Sequence, residues 1–157
     1  IVRSYRVPNV RMKDGIPTVE SLNKVLAKIS EKSGKGQRIE GAYVSSDIFD
    51  IMNNYATKRL SQNTDENRIP SNIFTNNCGT FADDVIKQDK SIKAPSILDP
   101  RPVSIIGEYQ NDFTPISYDP LKGTSIKLKE KTIIYNNQTK TTENKQNWWQ
   151  KIWYDIQ

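Results

Sequence analysis

The 157-residue chain has one cysteine, Cys78, and no histidine. Cys78 stands in the stretch Asn72 to Ile86, where Cys78, Phe81, Ala82, Val85 and Ile86 fall at the spacing of one apolar helix face. Asn76 or Asn77 precedes this run as an N-cap. The pattern predicts a helix opening at Cys78, with the thiol in the first turn and on the buried stripe. A helix N-terminus lowers a thiol's pKa and aims unpaired N–H groups at a developing oxyanion. That is the chemistry of a nucleophile. A lone cysteine is also a common small core residue, and on the residues alone both readings stand.

The missing imidazole excludes more than any motif includes. A Cys–His pair, a histidine-bearing zinc site and a histidine-based nuclease cannot be completed within these residues. Asp83 and Asp84 are adjacent, so on a helix they splay apart and do not converge on one metal; their spacing predicts a solvated face. There is no glycine-rich phosphate loop and no aromatic–basic ladder. No cofactor or metal is expected.

The elements that must position Cys78 follow from the rest of the chain. Ile1 to Val10 has extended character, interrupted by Pro8. Asp14-Gly15 signals a turn. Thr18 reads as the cap of a helix whose stripe is Val19, Leu22, Val25, Leu26 and Ile29, ending at Gly34. Arg38 to Val44 reads as a short strand. Ser45 and Ser46 cap a second helix, Asp47 to Leu60, with Ile48, Ile51, Met52, Tyr55 and Leu60 on its apolar face. Ser61 to Pro70 is a polar loop long enough to form a rim or lid.

After the Cys78 helix, prolines crowd the segment 94–121, which reads as extended coil wrapping a surface, broken by a helix or turn around Val103 to Tyr109. Thr124 to Lys129 and Lys131 to Tyr135 read as strands, with a turn at Asn136-Asn137. Asn137-Gln138-Thr139 matches a glycosylation acceptor. Residues 143–157 hold all three tryptophans, Trp148, Trp149 and Trp153, and read as a short terminal helix. Its two readings are a membrane-interface anchor and, the one preferred, a helix docked on protein.

Composition sets the outer bounds. Length predicts a single domain, 1–157, with a real core. Hydrophobic residues make up 35% and charged residues 26%, and no stretch reaches the ~20 apolar residues of a membrane span. The net charge of +5 comes from 23 basic and 18 acidic side chains of interspersed sign, so a solvated basic surface is expected and nucleic acid is not. The start at Ile1 suggests a piece of a longer polypeptide.

Asn76-Asn77-Cys78-Gly79-Thr80-Phe81-Ala82, preceded by Met52-Asn53-Asn54-Tyr55-Ala56 and followed by Asp99-Pro100-Arg101-Pro102, resembles circularly permuted papain-like cysteine hydrolases. These include NlpC-type and lecithin–retinol acyltransferase-like domains, and especially the forms at the C-termini of bacterial Rhs-repeat and polymorphic toxin proteins. The resemblance covers roughly Arg38 to Gln110. It implies an α+β fold, a small antiparallel sheet packed against helices that include the Cys78 helix. It also implies that Cys78 is the nucleophile, that Asn77 matches the preceding asparagine, and that a strand histidine upstream of the cysteine is the base.

This sequence departs from the pattern in having no such histidine. The expectation is a secreted bacterial toxin or effector that cleaves a peptide, amide or ester bond. Its histidine would come from an upstream segment or a partner chain, and an immunity or delivery protein is a further implied partner. The alternative is a non-catalytic binding or delivery module. A basic nuclease toxin is the weaker third.

Overall fold

The computed structural model describes residues 1–137 and, for its backbone, residues 149–155. The fold is mixed α+β, with four α-helices and small antiparallel sheets among the described residues. Within the chain the described residues group into two compact units. One comprises residues 6–43, 114–137 and 149–151, the other residues 1–5, 44–113 and 152–155. Strand β1, Val2–Pro8, pairs with β8, Trp149–Asp155. Trp149 and Trp153 thus lie on a strand where a terminal helix was expected. Trp148, with the rest of 143–148, and residues 156–157 fall outside the described residues.

The first unit is a helix on a sheet. Strands β2, Met12–Lys13, and β3, Ile16–Pro17, make a hairpin whose turn residues Asp14 and Gly15 both take positive φ, 53° and 80°. That is the twist a two-residue hairpin turn requires, and Asp-Gly supplies it at low cost. Helix α1, Val19–Ser33, begins and ends where its signals lie. Thr18 Oγ1 accepts from the Ser21 N–H, and the Gly34 N–H donates to Ile29 and Ser30. Its apolar stripe covers the sheet: Leu22 and Leu26 are buried together with Tyr118 and Ile126.

That sheet has the order β4-β5-β6-β7 and is antiparallel throughout. Its strands are Ile39–Tyr43, Thr114–Asp119, Gly123–Lys127 and Thr132–Asn136. Strand β5 falls inside the proline-rich stretch expected to be coil. Pro115 stands opposite Ala42, near the start of the strand, where a missing N–H is best tolerated. The alternation in Ile116-Ser117-Tyr118 then carries the ladder on. Beyond β7, Asn137 closes the turn region by accepting from Asn23 Nδ2 at 3.0 Å and donating to the Pro120 carbonyl at 3.2 Å. Gln138 and Thr139 of the glycosylation match lie outside the described residues.

The second unit is helical. It contains α2, Phe49–Ser61, a 3₁₀ turn, Gln62–Thr64, α3, Cys78–Ile86, and α4, Pro102–Asp112. Its apolar cluster is small: Val2, Ala56 and Phe81, flanked by Leu60 and Val85. Asn63 clamps the start of β1, accepting from the Val2 N–H at 2.9 Å and donating to the Val2 carbonyl at 2.6 Å. The expected face of α2 is only partly right, because Ile48 and Ile51 are exposed while Ala56 is fully buried. Nor does a serine cap that helix. Its N-cap is Ile48, which makes no side-chain cap bond, and Ser46 instead donates to Asp89 at 2.5 Å. Helix α4 opens on Pro102, whose fixed φ and missing N–H suit the first position of a helix.

Candidate active site

Cys78 is the first residue of α3, as its pattern predicts, and the reason is Asn77. Asn77 is extended, fully buried and doubly engaged. Its Oδ1 accepts from the Thr80 N–H at 3.0 Å, and Thr80 Oγ1 accepts in return from the Asn77 N–H at 2.8 Å. This reciprocal capping box satisfies one of the orphan donors of the first turn. The Asn77 amide nitrogen donates at 2.8 Å to both the Ile73 and Pro100 carbonyls. One side chain therefore starts the helix and ties it to the segment that leads into α4.

Gly79 makes the second tie. A Cβ there would lie 3.0 Å from the Pro102 Cα and 3.0 Å from Ile105 Cδ1, tighter than a methyl group accepts without movement. The glycine lets α4 approach the first turn of α3 closely. Asn77 and Gly79 thus hold together the two stretches, 76–82 and 99–102, whose residue types drew attention in the sequence.

The thiol itself departs from expectation. Cys78 is exposed, and the buried residues of α3 are Gly79, Phe81 and Asp83, while Ala82 is also exposed. An apolar pattern does not register a glycine, yet Gly79 marks where the helix meets its neighbour. The buried face is rotated accordingly, and Cys78 is turned outward.

Asp83 and Asp84 diverge as their adjacency requires, but Asp83 is not on a solvated face. It is 6% exposed, accepts from the Tyr109 hydroxyl at 2.5 Å and pairs with Lys87 at 2.6 Å. Burial, then the Asp83 carboxylate it donates to, pushes the Tyr109 phenol far above its ordinary range. Asp84 is half-exposed and pairs with Arg59 at 3.6 Å. Desolvation raises its carboxyl, with the Arg59 charge working in the opposite direction.

Around the entrance to α4, Asp99 accepts from the Arg101 guanidinium and from Ser104 Oγ, at 2.6 and 2.7 Å. The Arg101 contact holds the Asp99 carboxyl well below the usual carboxylate range. Asp89, 2% exposed, accepts from Ser46 and from Ser91, whose hydroxyl lies at 2.6 Å, and these bonds lower its carboxyl. Sequence pattern did not single out Arg59, Asp89 or Tyr109; it placed Tyr55 on the apolar face of its helix and Asp83 on a solvated one. The one available signal was the i, i+4 placement of Tyr55 and Arg59 on α2.

The site's geometry can be set beside known proteins. The family described as type VI secretion system effector TseH-like matches residues 1–94. The crystal structure of the type VI secretion system effector TseH superposes with a TM-score of 0.64 at 29% sequence identity. That match covers 72% of this chain and 62% of TseH, so the chain spans less than two thirds of its structural relative. Among curated proteins none matches.

Proposed function

The chain belongs to the TseH-like family of type VI secretion system effectors, and from that premise we propose that it is an effector domain of cysteine-hydrolase type acting through Cys78. Effectors of this family are delivered into target cells by a bacterial secretion system. One observation carries the chemical reading: an exposed thiol at the first position of a helix whose N-terminus is locked by a buried asparagine. The arrangement is read as permuted papain-like.

In this mechanism the Cys78 thiolate attacks the carbonyl carbon of a peptide, amide or ester. A C–S bond forms, and the developing oxyanion is held by N–H groups of the first turn of α3, which no carbonyl of the helix itself serves. An imidazole takes the thiol proton and returns it to the departing amine or alcohol, leaving an acyl-enzyme that water hydrolyses. With no histidine in the sequence, the proposal assigns that imidazole to a segment or partner chain beyond these residues. Asn77 acts through position: it sets the helix start that presents the thiol.

Growth inhibition of a target cell expressing the domain in its delivered context should be lost on Cys78→Ala and on Cys78→Ser, with the soluble level of the protein unchanged. In the purified domain, Cys78 should react with iodoacetamide at neutral pH faster than N-acetylcysteine. A thiol no faster than the free amino acid, together with full toxicity of Cys78→Ala, removes the cysteine-hydrolase reading. The absence of histidine favours one second reading, a non-catalytic binding or delivery module, which that pair of results would support.

A further inference from the structure

The helical unit contains a cavity of about 420 Å³, lined by α2, the 3₁₀ turn, the loop that follows it and the outer side of α3. Its wall includes Tyr55, Arg59, Asn63, Arg68, Asn76 and Asp84. The segment expected to form a rim supplies Arg68. The size is in the range of small-molecule sites, and the lining mixes apolar groups, Val2 and Ile69 among them, with two guanidinium groups and one carboxylate.

Arg59 is held like a fixed plate. Its guanidinium lies over the Phe81 ring at 5.2 Å and near the Tyr55 ring at 5.9 Å. Nη1 donates to the Tyr55 hydroxyl at 3.1 Å and Nη2 to Asn76 Oδ1 at 3.3 Å. A guanidinium has five N–H groups, so two bonds leave three without a hydrogen-bond partner among the described residues. Asp84 approaches Arg59 only to 3.6 Å, outside hydrogen-bond range, and accepts instead from the Tyr55 hydroxyl at 3.4 Å. Arg68 is exposed, and among the described residues its side chain has no hydrogen bond or ion pair. Its arginine fork is therefore available to a ligand.

We propose that this cavity binds the oxyanion group, carboxylate or phosphate, of a small polar ligand between Arg59 and Arg68. Arg59 is the preorganised half of the clamp and Arg68 the half that closes on the ligand from the loop. Guanidinium pairs recognise both oxyanions by parallel N–H···O bonds, while the Asn63 and Asn76 amides, engaged with the Val2 backbone and with the Ile69 and Pro70 carbonyls, fix the wall around them. Asp84 competes with the ligand for Arg59. The site goes beyond the Cys78 reading and stands whether or not the thiol is catalytic.

Calorimetric titration of the purified protein at low ionic strength tests it, with three probes: N-acetylglutamate, glycerol phosphate and the neutral N-acetylglutaminamide, in which both carboxyl groups are amides. The anions should bind saturably and the amide should not; the tighter anion names the oxyanion the site takes. Arg68→Gln, on an exposed loop, should weaken anion binding about tenfold, equivalent to about 1.4 kcal/mol. Asp84→Asn, which removes the competing charge at constant shape, should strengthen it about threefold, a direction that mere surface charge screening by scattered lysines would not single out. Equal binding of the neutral amide, no saturable heat from either anion, or an Arg68→Gln affinity within twofold of the parent overturns the proposal.

Discussion

The two units solve the same problem with different materials. In the helix-on-sheet unit the centre is apolar: Leu22, Leu26, Tyr118 and Ile126 meet between α1 and the sheet, and its buried polar groups are hydroxyls and one amide, Ser21, Asn23, Ser30 and Thr124. The helical unit has a smaller apolar cluster and buries two carboxylates, Asp83 and Asp89, with the amide of Asn77. Each of these ties segments far apart in sequence: Asn77 to Pro100, Asp83 to Tyr109, Asp89 to Ser46. A unit held by buried polar bonds keeps a fixed geometry without a large core, but each bond then matters by itself, because an orphaned partner cannot return to water. The candidate thiol and the anion cavity both lie in this second unit.

The contrast makes the largest effect an apolar one. Ile126 is fully buried, and Ile126→Ala should cost about 4 kcal/mol through lost burial and the cavity left behind. Chemical denaturation followed by circular dichroism would show it; a cost under about 1 kcal/mol would mean the sheet unit does not rest on that cluster.

Next in size is Asn77→Ala, at about 2 kcal/mol, the sum of a lost helix cap and two carbonyls deprived of a donor. Asn77→Asp sharpens this test. The acceptor toward Thr80 is kept, but a carboxylate oxygen replaces the amide donor facing the Ile73 and Pro100 carbonyls. It should be at least as destabilising as alanine. If aspartate instead matches the parent stability, capping alone is what Asn77 contributes, and the tie to Pro100 is dispensable.

The smallest effect is in acid. The Asp89 carboxyl is lowered by the Ser46 hydroxyl first and then by Ser91, so its contribution to stability is present above the unfolded value of about 3.9 and is lost as pH falls through the folded value. Between about pH 5 and about pH 3 the parent should therefore lose more stability than Asp89→Asn, which has no proton to gain there. Parallel urea midpoints for the two proteins across that range decide it; parallel curves would show that Asp89 does not couple to folding.

Much of this architecture was legible beforehand where the signal is local. Helix α1 ran from its threonine cap to its glycine because each end satisfies its own backbone groups within a few residues. The start of α3 at Cys78 was legible for the same reason: Asn77 and Thr80 cap each other across three residues. Strands β4, β6 and β7 were legible as short strands, whereas β5 was not, because Pro115 placed it in the proline-rich stretch and its partner β4 is distant in sequence. Strand β8 was read as a helix, since tryptophans and isoleucines at mixed spacing do not distinguish the two without knowledge of the pairing with β1.

The sequence by itself determined the chain's chemical limits: one thiol, no imidazole, and a capped helix that begins at that thiol. It also carried the asparagine that makes the cap, and residue types that led toward a secreted effector. Only the tertiary structure decided which way the thiol faces. The close approach of Pro102 and Ile105 to Gly79 buries the side of α3 that the apolar pattern had left unmarked, and Cys78 is exposed in consequence. The same holds for Asp83 and Arg59. A charged residue reads as solvated until a partner from another element, Tyr109 for one and Phe81 with Asn76 for the other, compensates the cost of taking it out of water.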